Sequence, residues 1–133
     1  MRVRVESDLP LSEPIEYPAL FLKRGEDKRL REGHLWVFSN EIDVARSPLT
    51  EFEPGEVVAI LDHAGKAIGI GYVNPHSLIA ARLVVRGVAH ALDKSLIVHR
   101  LNVALALREK LYAEPYYRLV FGESDALPGL TLD

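Results

Sequence analysis

The sequence contains no cysteine, which excludes disulfides, thiolate zinc sites, CxxC redox chemistry and a thiol nucleophile. No apolar run approaches the roughly 20 residues that a membrane helix needs. The amino terminus lacks the apolar core of a signal peptide, so the expected compartment is the cytoplasm. Positive charge is not in excess either: 16 Lys plus Arg stand against 19 Asp plus Glu, a net charge of -3. The summed field therefore gives nucleic-acid or membrane binding no support, and any such binding must come from a local patch. Five histidines (His34, His63, His76, His90, His99) are scattered without ligand spacing, and no metal site is expected.

Nucleotide and catalytic motifs fail on their neighbours. Gly69-Ile70-Gly71 is followed by Asn74 and Pro75, where a dinucleotide loop needs a third glycine and an opening helix. Gly65-Lys66 is followed by Ala67 in place of the Ser or Thr that holds magnesium in a P-loop. No Gly-x-Ser-x-Gly elbow presents a serine. Glu51, Glu53 and Glu56, like Glu123 and Asp125, stand beside Pro-Gly turns, where solvated carboxylates are the default reading. Nothing in the chain forms a catalytic constellation.

What is present suits one small globular domain and part of another: 133 residues, 48% hydrophobic and 26% charged, enough to bury a core without staples. Residues 1–17, with Pro10 and Pro14, favour an extended arm, although the alternation Arg2-Val3-Arg4-Val5 suits a short edge strand. Ala19–Leu22 reads as a brief strand. Gly25–Glu32 reads as a short basic helix stopped by Gly33. Leu35–Ile42 is aromatic and β-branched and starts as a strand. Glu56–Leu61, Ala67–Val73 and Leu78–Val85 are three apolar strands with tight turns. They imply a small barrel in which Gly69 and Gly71 relieve crowding. From Leu92 the period changes to helical, with Ile97, Leu101, Ala104, Leu105, Leu111 and Tyr112 on one face, and Pro115 ends the helix. Tyr116–Phe121 and Leu130–Asp133 read as a strand pair, and the chain stops inside the second strand. The apolar helix face also suits pairing with a second copy, a possible homodimer.

The chemistry-bearing segment is the basic one. Lys23, Arg24, Lys28, Arg29 and Arg31 face only Glu26, Asp27 and Glu32, a net of +2 inside an acidic chain. His34 and Trp36 follow at once. Phosphate-neutralising charge next to ring faces is the combination used to hold nucleic acid. The other reading of the same residues is a solvated helix followed by a core tryptophan.

Leu22-Lys23-Arg24-Gly25-Glu26-Asp27-Lys28-Arg29-Leu30 and Gly33-His34-Leu35-Trp36-Val37-Phe38-Ser39-Asn40-Glu41-Ile42, followed by Gly69 to Ser77 and Gly122 to Leu130, carry a family resemblance. Together these blocks resemble the amino-terminal PUA domain of bacterial large-subunit rRNA cytosine-C5 methyltransferases that use S-adenosylmethionine. The likeness spans roughly residues 19 to 133. It departs at Leu35, where the family more often has proline, and in the arm, which has no counterpart.

The resemblance implies an α+β fold: a PUA-like mixed β-barrel over residues 18–88, then a helix and strand pair over 89–133 that open an incomplete α/β domain. It also implies an RNA-binding role, with large-subunit rRNA as partner and Lys23, Arg24, Lys28, Arg29, Arg31, His34 and Trp36 at the RNA. In that family the cofactor loop and the attacking cysteine lie in a domain that follows. None of their motifs occurs here, so the chain is expected to lack catalytic residues and a cofactor of its own, S-adenosylmethionine belonging to the full-length protein. The alternative is a stand-alone PUA-like adaptor or dimerisation module.

Overall fold

A computed structural model describes residues 1–5, 15–88 and 91–133; Pro10, Pro14 and His90 lie outside the described residues. The chain divides into two compact units, Met1–Leu92 and Asp93–Asp133.

The first unit is a six-stranded sheet in the order β1-β2-β4-β5-β6-β3. Its strands are β1 (Arg2–Val5), β2 (Ile15–Phe21), β3 (Trp36–Phe38), β4 (Glu56–Leu61), β5 (Ala67–Val73) and β6 (Ile79–Arg86). Among the described residues only β2 and β4 run parallel; the other pairings are antiparallel. The sheet closes where the end of β2 meets the segment after β3. Leu22 bridges Ile42, the Lys23 N–H donates to the Glu41 carbonyl at 2.9 Å, and the Asp43 N–H donates to that of Phe21 at 2.9 Å. Leu20, Leu22, Val37, Ile42, Val58, Ile60 and Leu83 pack inside. The result is a small mixed barrel, with β1 added outside β2 as an edge strand. The segment read as an arm thus contributes a strand whose Val5 is fully buried.

The three central strands form where alternation and tight turns place them. Asp62 receives the Lys66 N–H on its side chain at 2.8 Å, and Gly65 turns the chain at φ +92°. Gly69 and Gly71 are required by close approach: a Cβ on either would run into the carbonyl oxygen of Val85 or Arg82 on β6. They lie inside a strand against its neighbour, a close approach of two backbones.

Two elements of the first unit are shorter than expected, as are both strands of the second, which cover two residues each. The basic helix α1 covers only Lys28–Arg31, because Gly25 takes φ +82° and makes the preceding residues a turn. The aromatic segment is a strand only over Trp36–Phe38, and Ser39–Glu41 then forms a single 3-10 turn. The Glu41 carboxylate reaches back to accept the Phe38 N–H at 2.8 Å, which bends the chain toward the Leu22 bridge.

The second unit holds α2 (Lys94–Leu111), β7 (Val120–Phe121) and β8 (Thr131–Leu132). Asp93 caps α2 by accepting the Leu96 N–H at 3.0 Å. The expected apolar face is not a covered one: Ala104 and Arg108 are the buried residues of this helix, and Leu111 is 64% exposed. The reading of Asp125 as solvated is also overturned. Its carboxylate accepts two hydrogen bonds from Arg108, at 2.7 and 2.9 Å, with both side chains over 90% buried. The Phe121 N–H adds a third at 2.7 Å.

Candidate nucleic-acid interface

All seven residues singled out in the sequence sit on the short path from the end of β2 through α1 to β3, and all seven are exposed. The barrel positions this path at both ends. Lys23 is tied to the Glu41 carbonyl at barrel closure. At the far end Arg86, from β6, donates to the carbonyls of Leu30 at 2.6 Å and His34 at 3.3 Å. That guanidinium adds a side-chain donor to the Leu30 carbonyl, which also accepts the Gly33 N–H at 3.2 Å, and ties the end of α1 to β6. Leu30 is the one buried residue of α1 and anchors the turn in the core.

The cations are not equivalent. Arg31 Nε donates to Asp27 at 2.7 Å and its Nη2 to Asp62 at 2.9 Å, and the Arg31 hydrogen bond holds the Asp27 carboxyl below its ordinary range. Arg29 lies with its guanidinium 5.1 Å from the Phe38 ring centroid and 3.7 Å from the Glu41 carboxylate. Among the described residues, Lys23, Arg24 and Lys28 make no ion pair. None of the three is held within ion-pair distance, although Lys23 is near enough to Glu26 to favour its charged form, and the helix-born arginines are half engaged by the protein itself.

Trp36 is 38% exposed, which removes the core-tryptophan reading. It alternates with buried Val37 on β3 and meets Phe38 edge-to-face, ring centroids 6.5 Å apart. Opposite it on β6 is Arg82, whose Nη1 donates to the Tyr72 hydroxyl at 3.3 Å.

Sequence reasoning missed the groove beside these residues. A depression of about 510 Å³ is lined by Glu26, Arg29, Phe38, Ser39, Asn40, Glu41 and Leu78. Glu26 and Glu41 lie close enough that a hydrogen bond between their carboxyls, followed by burial, raises the Glu26 pKa above its usual value. Fifteen residues separate them in sequence, and only the barrel closure unites them. Asn40-Glu41, directly after the aromatic strand, was the signal available.

An α+β chain made of a small mixed barrel followed by a helix and a strand pair is the class this architecture defines. Comparison makes the family specific. A family model described as a PUA-like domain matches residues 20–86, just over half of the chain, all within the first unit. The chain belongs to the PUA-like domain family.

Among curated proteins it is 37% identical over 121 residues to Ribosomal RNA large subunit methyltransferase I of Salmonella gallinarum, a match covering 89% of this chain and 29% of that protein. It is 39% identical over 118 residues to the protein of the same name from Aliivibrio fischeri, covering 86% and 29%. The chain thus spans under a third of the length of these relatives. Among solved structures, a Streptococcus mutans chain described as a SAM-dependent methyltransferase superposes with TM-score 0.69 at 16% identity, over 86% of this chain and 29% of that one. A chain described as a methyltransferase complexed with SAH superposes equally well.

Proposed function

We propose that this chain is the RNA-binding part of an S-adenosylmethionine-dependent large-subunit rRNA methyltransferase acting on cytosine C5. It holds structured rRNA for a catalytic domain that these 133 residues do not contain. The observation that carries the reading is the alignment of nearly the whole chain with under a third of proteins named as rRNA large-subunit methyltransferases. The exposed cations on one path of a PUA-like barrel support it.

In this reading Lys23, Arg24 and Lys28 contact phosphates, Arg29 and Arg31 add partial charge, and His34 and Trp36 lie against sugars or bases. The chain performs no methyl transfer: with no cysteine it has no thiolate to attack the pyrimidine ring. The cofactor belongs to the full-length protein, and the cytoplasm is the proposed compartment. The domain division follows the two units, an RNA-binding barrel and the opening of a further domain. Titration with large-subunit rRNA fragments tests the reading. RNA binding that weakens with salt, with no calorimetric heat from S-adenosylmethionine, is the expected result; saturable cofactor binding overturns it.

The exposed Val103, Leu107 and Leu111 of α2, at 57, 48 and 64%, favour a second reading in which this helix pairs with another copy. Light scattering with and without RNA separates the two.

A further inference from the structure

Trp36 is a large ring left open to solvent on β3, edge-on to Phe38, and the groove that Phe38 lines mixes charges in a particular order. The groove carries the carboxyls of Glu26 and Glu41 against one guanidinium, Arg29. Exposed Lys23, bonded through its backbone to Glu41, and exposed Lys28, one residue before Arg29, lie on the same path.

A phosphodiester entering this groove meets two carboxyls beside one guanidinium and gains little, whereas the exposed lysines on the same path attract it. A nucleobase is neutral, and its edge carries N–H donors that a carboxylate accepts. In a duplex those donors are spent on pairing and the base faces on stacking, so neither reaches the groove or the indole. In a single strand both are open, and bases stack on exposed aromatic rings.

We propose that the groove, together with the Trp36 ring, receives an unpaired nucleotide of single-stranded RNA, its base against Trp36 and the groove and its phosphates on Lys23 and Lys28. The inference rests on the RNA-binding reading above and names the form of RNA that this site takes. Selectivity for unpaired RNA then comes from the acidic groove and the indole, and affinity comes from the lysines.

Trp36 is the single tryptophan of the chain, so its fluorescence reports this site in the unaltered protein. The experiment titrates the full chain with an end-labelled single strand of an rRNA fragment and with the same strand annealed to its complement. RNA anisotropy and tryptophan emission are followed together. The proposal expects tighter binding of the single strand, with quenching of the indole that saturates along with the anisotropy. Trp36→Ala should weaken single-strand binding roughly five- to a hundred-fold, Trp36→Phe should recover much of it, and duplex binding should change little. Binding without quenching, or equal binding of both forms, overturns this inference and leaves the RNA-binding reading standing. No binding of either form at low salt overturns both.

Discussion

Arg31 and Asp62, 31 residues apart in sequence, are joined by a hydrogen bond of 2.9 Å from Nη2 to a carboxylate oxygen, and Asp27 accepts a second from Nε at 2.7 Å. A guanidinium held by two carboxylates has little charge left for a phosphate. Arg31→Ala should therefore change the salt dependence of RNA binding much less than Lys28→Ala does. Its effect on stability should stay within about 1 kcal/mol, as for partly exposed pairs. Thermal melts and binding titrations of this variant check both halves.

The Arg108–Asp125 pair behaves differently because it is buried. Burial pushes the Asp125 carboxyl upward, but the Arg108 guanidinium and the Phe121 N–H outweigh it and hold the pKa below the ordinary value. A depressed carboxylate stabilises the fold above the unfolded pKa of about 3.9 and loses that contribution as the pH falls through the lower folded value. Acidification from about pH 4 downward should loosen the second unit. Asp125→Ala should cost it about 3–5 kcal/mol at neutral pH by stranding a buried guanidinium. Hydrogen exchange of the α2 amides reads both effects.

Gly69 and Gly71 should not tolerate a methyl group. Each Cβ would collide with a β6 carbonyl, so Gly69→Ala or Gly71→Ala should destabilise the barrel by about 1–3 kcal/mol or more. Denaturant melts of the two variants measure this.

The two units should separate in unfolding. The fragment ending at Leu92 contains every strand of the barrel sheet and should melt in one cooperative step. A peptide of α2 alone, 18 residues long, should be marginally helical in water. Loss of a cooperative transition in the fragment would contradict the proposed division.

The parts legible in the sequence were those governed by local pattern. Glu56–Leu61 and Ala67–Val73 are strands at the expected bounds, because alternation and glycine turns act over a few residues. The basic helix shrank to one turn because the positive φ of Gly25 outweighed the helix-forming residues around it. The groove and the Arg108–Asp125 pair stayed hidden because each unites residues 15 or more positions apart. The seven candidates emerged as a connected exposed path, but their inequality did not: the Asp62 that engages Arg31 lies in a distant hairpin turn.

The central claim is that the chain binds RNA through Lys23, Arg24 and Lys28, and the salt dependence of that binding tests it most directly. The dissociation constant for a large-subunit rRNA fragment should rise with salt on a log-log plot, with about 0.7 to 0.9 of slope per phosphate neutralised. Replacing the three residues together by Ala should remove roughly two units of that slope and leave the melting temperature nearly unchanged. Equal affinity and equal slope for the triple variant and the parent would contradict the account.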